Sequence, residues 1–312
     1  GDKRVPVVVG PTASGKTTFS ISLARELEGE IVSADSRQIY RFMDIGTAKP
    51  SGPEREAVTH HLVDFLDPGE GYSAGAYSRE ARTIISNLQE KNVQPVVEGG
   101  SGLYIKALVE GVFSGRYKDP AVRRRLGEIA DREGADMLHR KLAKIDSHAA
   151  GRIHPNDRKR IIRALEVYEV AGRPITVVQQ QETVPADFTP VYIGLRWERE
   201  KLYQRINRRV DLMIEQGLVA EVKSLLDKGY APGSNSLDSV GYKEIIAYLE
   251  GRSSLENAVE QIKKNSRNFA KSQLTWFRKL APIRWLDCTD SRDMQEAAAI
   301  EAKKFREGGY GE

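Results

Sequence analysis

Short apolar runs recur along the chain and are separated by longer stretches in which apolar residues repeat every three to four positions. The short runs predict buried strands, and several of the longer stretches predict helices. The predicted strands are residues 5–9, 30–34, 62–66, 93–98 and 190–195. Because strands and helices alternate, we expect an α/β fold with a parallel sheet whose two faces are covered by helices.

After the last of these strands the hydrophobic pattern is mostly helical. Predicted helices span residues 199–228, 242–250 and 255–280, and a short strand at 283–286 precedes a final helix. This part of the chain therefore adds helices to the sheet.

A charged stretch in the middle of the chain lacks the alternation of strands, and segments rich in Gly, Pro and polar residues flank it. Such flanking segments are typical of domain boundaries. We expect a helical insertion domain over residues 116–189. It would leave and rejoin a core domain formed by residues 1–115 and 190–312.

A glycine-rich loop joins the first predicted strand to a predicted helix at 16–28, and it fits the P-loop pattern G-x-x-x-x-G-K-[ST]. In such a loop, backbone N–H groups converge on phosphate oxygens, Lys16 adds a positive charge, and the Thr17 hydroxyl can ligate Mg²⁺. The motif predicts a bound phosphate without identifying the group that is transferred. The loop residues are Gly10, Pro11, Thr12, Ala13, Ser14, Gly15, Lys16, Thr17 and Thr18.

Two polar side chains follow other predicted strands. Asp35 comes after strand 30–34, and Ser101 lies in a Gly-Gly-Ser-Gly turn after strand 93–98. Ligands of parallel sheets bind beyond the carboxyl ends of the strands, so both side chains can flank the loop. Asp35 could orient Mg²⁺, as in P-loop nucleotide hydrolases, or accept a proton from an exocyclic amine. The residues themselves leave both roles open.

The composition is that of a soluble globular protein, with 40% hydrophobic and 29% charged residues among 312. No apolar run reaches membrane-spanning length and no leader sequence is recognisable, so we expect a cytoplasmic protein without a membrane association. The single cysteine, Cys288, excludes an internal disulfide and a cysteine-built zinc site. The five histidines lack metalloprotease spacing, so the sequence supports no metal chemistry beyond Mg²⁺ on a phosphate.

The formal net charge is only +4, but basic residues are clustered at 123–125, 152–163 and 263–284. The last cluster contains no acid and has aromatic residues between its cations. A single basic stripe is usually a solvated face, but three clusters favour a polyanionic partner. On a helix, one stripe of the last cluster would carry Lys264, Arg267, Lys271 and Arg278.

These motifs resemble those of the tRNA dimethylallyltransferases, also known as tRNA isopentenyltransferases, in order and over nearly the whole chain. The similar segments are residues 10–17, 33–40, 44–50, 99–104, 153–157, 163–166, 205–206, 209–213, 239–244 and 273–278. The resemblance implies that the loop binds the diphosphate of dimethylallyl diphosphate. The five-carbon group would be transferred to N6 of the adenosine directly 3′ of the anticodon in tRNA. No residues suit the Cys/His zinc finger of eukaryotic relatives, so a bacterial type is implied.

The resemblance also implies residue roles. Asp35 would accept the amine proton with Ser101 as its hydrogen-bond partner, and Lys16, Arg205 and Arg209 would stabilise the departing diphosphate. Mg²⁺ would be held through Thr17. Contacts with the tRNA anticodon stem-loop are implied for Asp35, Ser36, Arg37, Gln38, Ser101, Arg124, Lys159, Arg160, Arg163, Gly241, Tyr242, Lys243, Lys271 and Arg278.

The sequence departs from the family pattern at three positions. Ser101 stands where the family usually has Thr, Ser272 replaces an expected arginine, and Glu98 occupies a position where we expect a small or apolar residue. No role for Glu98 follows from the resemblance.

Two other functions fit the loop. A small-molecule kinase of the P-loop class would use Asp35 for Mg²⁺ and the insertion as a lid, and it would turn over ATP without RNA. A non-catalytic RNA-binding switch would bind RNA in a nucleotide-dependent way and form no covalent product.

A single active site with RNA passing through one chain suits a monomer.

Overall fold

The computed structural model of the chain describes residues 3–113, 117–280, 282–290 and 293–309. The chain is divided into two compact units. The first consists of Gly1–Lys106 and Asp187–Glu312, and the second is Ala107–Ala186. The boundary predicted between residues 115 and 116 lies outside the described residues.

A parallel six-stranded sheet is the centre of the first unit, within the described part of the chain. The strands are β1 (Arg4–Val9), β2 (Gly29–Ser33), β3 (His60–His61), β4 (Gln94–Gly99), β5 (Thr189–Trp197) and β6 (Arg284–Cys288). Their order across the sheet is β3-β2-β4-β1-β5-β6. The predicted α/β fold with a parallel sheet and a helical insertion is therefore confirmed.

The central strand β1 lies between β4 and β5, where Val7 is in register with Val97 of β4 and with Tyr192 of β5. Val5, Val7, Val8 and Val9 are fully buried. A continuous apolar run is typical of a parallel strand that is covered on both faces. The loop after β1 therefore starts from a rigid, buried support.

Helices follow or connect the strands. In chain order they are α1 (Lys16–Glu26), α2 (Gly52–Ala57), α3 (Ala74–Glu90), α4 (Gly102–Val109), α5 (Pro120–Glu133), α6 (Ala135–Ile145), α7 (Ser147–Arg152), α8 (Arg158–Ala171), α9 (Ile175–Glu182), α10 (Arg199–Glu215), α11 (Leu218–Asp227), α12 (Tyr242–Leu249), α13 (Leu255–Phe277) and α14 (Met294–Arg306). No helix in the described ranges combines the length and the apolar character needed to cross a bilayer.

Two predicted elements were wrong. The predicted strand 62–66 is irregular because Leu62 and Asp64 have positive φ angles of 61° and 59°, and only the bridge between Tyr40 and Leu66 remains of it. The predicted helix 199–228 is two helices, α10 and α11. Gly217, with φ of 102°, separates them in a left-handed conformation that glycine adopts without steric strain.

The second unit is formed by helices α5 to α9 and the C-terminal part of α4. Its core contains Leu126, Leu142, Ile161, Leu165 and Val178, all fully buried. An amphipathic helix buries one apolar face and leaves most charged residues on its outer faces, although Asp146 and Glu166 of this unit are buried.

Candidate active site

The glycine-rich loop connects the end of β1 to the start of α1. Gly15 has φ of 87° and leads the chain into the helix, while Ser14 N donates a hydrogen bond to Pro11 O at 3.2 Å. The Ser14 hydroxyl is buried and has no hydrogen-bond partner among the residues described. An unpartnered buried hydroxyl beside a helix N-terminus is suited to an anion's oxygen atoms.

Lys16 is the first residue of α1, and its ammonium group folds back over the loop to donate to Pro11 O at 3.0 Å. Loss of hydration lowers the pKa of Lys16 to about 8, against the opposing influence of Glu98, and nearby Arg209 lowers it further. A bound anion would favour the charged form, because it would replace the lost hydration.

Thr17 and Glu98 form a buried polar pair. Thr17 Oγ1 donates to Glu98 Oε1 at 3.0 Å, and Glu98 is only 9% exposed at the end of β4. Burial raises the pKa of the Glu98 carboxyl to about 7, although Lys16 and the Thr17 hydrogen bond act in the opposite direction. The hydroxyl and the carboxylate of this pair are two oxygen groups at the start of α1 that can act as metal ligands. This arrangement fits Mg²⁺, which prefers oxygen ligands and usually takes few of them from the protein.

Helix α10 brings two arginines to the loop. Arg205 Nε donates to Ala13 O at 2.8 Å, and its guanidinium group lies 4.1 Å from the centre of the Trp197 ring. Trp197 Nε1 in turn donates to Ser14 O at 2.9 Å. Arg209 Nη1 is 3.4 Å from Thr12 Oγ1, and loss of hydration lowers the pKa of both arginines without discharging them. Cations from a distant part of the sequence thus surround the loop.

Asp35 lies directly beyond β2. Its Oδ1 accepts hydrogen bonds from Arg37 N at 2.7 Å and Gln38 N at 3.2 Å. Ser101 N donates to Ala34 O at 3.1 Å, so Ser101 lies beside this strand end. Gly99 lacks a side chain there for a steric reason, since a Cβ would lie 2.2 Å from Ala34 O. Asp35 and Ser101 follow β2 and β4, which are neighbours in the sheet.

Gln273 of α13 connects the glycine-rich loop of residues 10–18, named the phosphate loop below after its P-loop motif, to the turn after β4. Its Oε1 accepts from Thr12 N at 2.8 Å, and its Nε2 donates to Gly100 O at 3.0 Å. The side chain is buried, at 7% exposure. Sequence reasoning assigned it no role, although a glutamine on an otherwise apolar helix face was a visible signal. It fixes two glycine-rich turns relative to each other.

The side chains of Arg37 and Gln38, which follow Asp35, form hydrogen bonds with backbone carbonyl groups of the same unit. Gln38 Nε2 donates to Thr47 O and Ala48 O at 3.3 and 3.0 Å, and Arg37 Nη1 donates to Asn235 O. The Tyr242 ring is fully buried, and its hydroxyl donates to Glu221 at 2.6 Å. Of the predicted tRNA contacts here, Gly241 and Tyr242 are buried, whereas Lys243 is exposed.

Helix α13 has an exposed basic side opposite its buried residues Ile262, Ala270 and Phe277. Lys264, Lys271 and Arg278 are exposed. Arg267, predicted on the same stripe, is half-buried and donates to Asn207 Oδ1 at 2.6 Å. The stripe therefore offers lysines and one arginine to solvent.

In the second unit, Arg124 of α5 and Lys159 and Arg160 of α8 are exposed. Arg163 is half-buried instead, with Nη1 donating to Tyr117 O at 2.6 Å and to Glu166 Oε2 at 2.7 Å. Its charge is thus neutralised by a fully buried glutamate. Three of the four predicted tRNA contacts of this unit are available at its surface.

A family model described as "IPP transferase" matches residues 38–280 of the chain. The chain belongs to the IPP transferase family. It is 48% identical to tRNA dimethylallyltransferase 2 of Geotalea uraniireducens over 91% of this chain and 92% of that protein. It is 45% identical to the tRNA dimethylallyltransferase of Geobacillus kaustophilus, over 96% and 94% of the two chains.

Solved structures of IPP transferases have the same fold. The full-length tRNA isopentenylpyrophosphate transferase of Bacillus halodurans is 40% identical, with a TM-score of 0.72 over 99% of this chain and 98% of its own. A eukaryotic dimethylallyltransferase acting on tRNA is 29% identical, with a TM-score of 0.83 over 98% of this chain and 80% of its own.

The family model begins at Gln38, after the glycine-rich loop. The loop residues 10–18 and Asp35 therefore lie outside the matched range, whereas Arg205, Arg209 and Gln273 lie within it. These three residues of the matched range nevertheless contact the loop: Arg205 and Arg209 donate hydrogen bonds to it, and Gln273 accepts one from it.

Proposed function

We propose that this protein transfers the dimethylallyl group of dimethylallyl diphosphate to N6 of the adenosine directly 3′ of the anticodon in tRNA, releasing diphosphate. The observation that supports this most is the enclosure of the phosphate loop by three cations, Lys16, Arg205 and Arg209, next to the strand end that carries Asp35. Membership of the IPP transferase family favours this reaction over the kinase and the RNA-binding switch.

The reaction requires a leaving group to be stabilised, because the adenine amine is a weak nucleophile. The bond between the allylic carbon and the bridging oxygen breaks, and its electron pair leaves with the diphosphate. The three cations and the loop N–H groups would bind this group more tightly as its charge increases. Lys16 is positioned by Pro11 O, Arg205 by Ala13 O and the Trp197 ring, and Arg209 by the Thr12 hydroxyl. The three cations would therefore need little rearrangement.

The nitrogen's electron pair forms the new C–N bond, and N6 must then lose a proton. Asp35 is our candidate acceptor, since its carboxylate is oriented by two backbone N–H groups at the sheet edge. We assign Ser101, on the adjacent turn, the role of a hydrogen-bond partner for the amine or the carboxylate.

The Thr17 hydroxyl would hold Mg²⁺ against the diphosphate, and the ion would supply charge neutralisation when bound. We assign the tRNA contacts to the exposed cations of each unit: Lys243, Lys271 and Arg278 in the first and Arg124, Lys159 and Arg160 in the second. The anticodon loop is unpaired, so extruding one base from it requires at most a few kcal/mol.

The test is incubation of the protein with dimethylallyl diphosphate labelled in the five-carbon group and unmodified tRNA. We expect label in the tRNA, at the adenosine 3′ of the anticodon after nuclease digestion, and one diphosphate released per label. A tRNA with guanosine at that position is the matched control and should remain unlabelled.

The alternatives give different results. Phosphate release from ATP in the absence of RNA would support the kinase. Nucleotide-dependent tRNA binding without a labelled product would support the RNA-binding switch, and either result would contradict the transferase.

A further inference from the structure

A carboxylate occupies the middle of the sheet at the point where the phosphate loop begins. Glu98 of β4 is in register with Val8 of β1 and Ser33 of β2, so it has a strand on each side. Acidic residues are rarely so buried unless they have a partner. Side chains alternate along a strand, so Glu98 lies on the same face as Val96, which packs with Phe19 and Leu23 of α1.

The partner of this carboxylate is Thr17, whose hydroxyl donates to Glu98 Oε1 at 3.0 Å. The ammonium group of Lys16 also acts on Glu98 electrostatically. The unpartnered buried hydroxyl of Ser14 belongs to the same loop. Its oxygen lies 2.8 Å from the point where a Cβ on Gly10 would be. Of these two hydroxyl groups, that of Ser14 has no hydrogen-bond partner among the described residues, and that of Thr17 is bound to the carboxylate.

A carboxylate in this place has an opposite effect on two ligands. It repels a diphosphate bound in the loop, because the interior screens charges weakly. It attracts a divalent cation, for which a carboxylate and a hydroxyl oxygen are suitable ligands. A cation between Glu98 and the diphosphate would convert the repulsion into attraction.

We propose that Glu98 is a second protein ligand, together with Thr17, for the divalent cation that accompanies the diphosphate. The phosphate loop of this chain then binds diphosphate tightly only together with the cation. The inference rests on the proposed function, since it takes the loop as the diphosphate site. Asp35 is then not needed as a ligand of the cation and can serve as the proton acceptor for the adenosine amine.

The test is calorimetric titration of the full chain with inorganic pyrophosphate, with and without Mg²⁺. We compare the unaltered protein with Glu98→Gln, which keeps the shape and a hydrogen-bond acceptor for Thr17 but removes the charge. We expect Mg²⁺ to increase pyrophosphate affinity at least about tenfold more in the unaltered protein than in Glu98→Gln. Without Mg²⁺ the variant should bind pyrophosphate at least as tightly.

Glu26→Gln is the matched control, because it makes the same change at an exposed position at the other end of α1. It should reproduce the unaltered protein. If Glu98→Gln does not fold, Glu98→Val provides the same comparison with an apolar side chain that suits a buried strand. An equal Mg²⁺ effect in the unaltered protein and the variant would overturn the role of Glu98 alone. Absence of pyrophosphate binding to the unaltered protein under both conditions would overturn the proposed function and this inference together.

Discussion

Asp35, our candidate proton acceptor, has a well-defined position. Asp35 Oδ1 is bound by two backbone N–H groups, and an asparagine oxygen can accept the same hydrogen bonds. We predict that Asp35→Asn reduces the single-turnover rate of prenyl transfer by about 10²-fold or more, because the amide cannot accept the proton. The affinity for tRNA, measured by filter binding, should stay within about threefold.

Asp67→Asn is a suitable control for this substitution. Asp67 Oδ1 accepts a hydrogen bond from Gly69 N at 2.8 Å in a different turn of the same unit. This variant should retain the full transfer rate. Equal losses of rate and of tRNA affinity in Asp35→Asn would mean that Asp35 serves binding rather than proton transfer.

Lys16 and Lys271 are cations in contrasting environments, one over the phosphate loop and one exposed on α13. We predict that Lys16→Met weakens pyrophosphate binding about tenfold or more and leaves tRNA affinity nearly unchanged, since a charge-assisted contact with the anion is lost. Lys271→Met should show the reverse pattern. Calorimetry with pyrophosphate and filter binding with tRNA measure the two effects, and an unchanged pyrophosphate affinity in Lys16→Met would refute the assignment of the loop.

At the scale of elements, the loop depends on helices that are remote in sequence. Gln273 of α13 satisfies Thr12 N and Gly100 O, both in glycine-rich turns. We predict that Gln273→Leu lowers the free energy of unfolding by about 1 to 3 kcal/mol, because two backbone groups lose their partner in a buried place. Urea denaturation measures this change, and pyrophosphate affinity should fall with it.

Ser272→Ala is the neighbouring control, since Ser272 is exposed and its hydroxyl only donates back to Asn268 O within α13. It should change the unfolding free energy by less than about 0.5 kcal/mol. Equal free energies of unfolding for Gln273→Leu and Ser272→Ala would mean that the hydrogen bonds of Gln273 do not stabilise the loop.

The elements that could be predicted from the sequence are those whose signal is local. The valines of β1 and the glycine-lysine pattern after them specify a buried strand, a turn and a helix within a few residues. The prediction of a strand at 62–66 was wrong because Asp64 forms an ion pair with Lys49, and residues 64–66 form backbone hydrogen bonds with residues 38–41. Those partners are distant in sequence, and apolar residues alone gave no sign of them.

The same limit applies to the site. Lys16, Thr17 and Asp35 follow directly from motifs and strand ends. The placement of Arg205 and Arg209 came only from a resemblance, because nothing local shows that α10 reaches the loop. The contact of Glu98 with Thr17 depends on strand register across the sheet, and a single sequence does not specify that register.

At the scale of the whole molecule, the net charge of +4 understates the attraction for RNA, because exposed cations are present on both units. Each phosphate contact with a cation releases counterions, so the logarithm of tRNA affinity should fall linearly with the logarithm of salt concentration. The expected slope is about −0.7 to −0.9 per contact.

Both units should contribute to this slope if both hold the same tRNA. We predict that Lys159→Ala in the second unit and Lys271→Ala in the first each make the slope less negative by about 0.7 to 0.9, and that the double variant adds the two changes. Glu128→Ala, an exposed acid on α5, is the control that should not reduce the slope. Filter binding over a range of salt concentrations gives these values. A slope that only Lys271→Ala changes would assign the tRNA to the first unit alone, because a side chain that meets no phosphate releases no counterion.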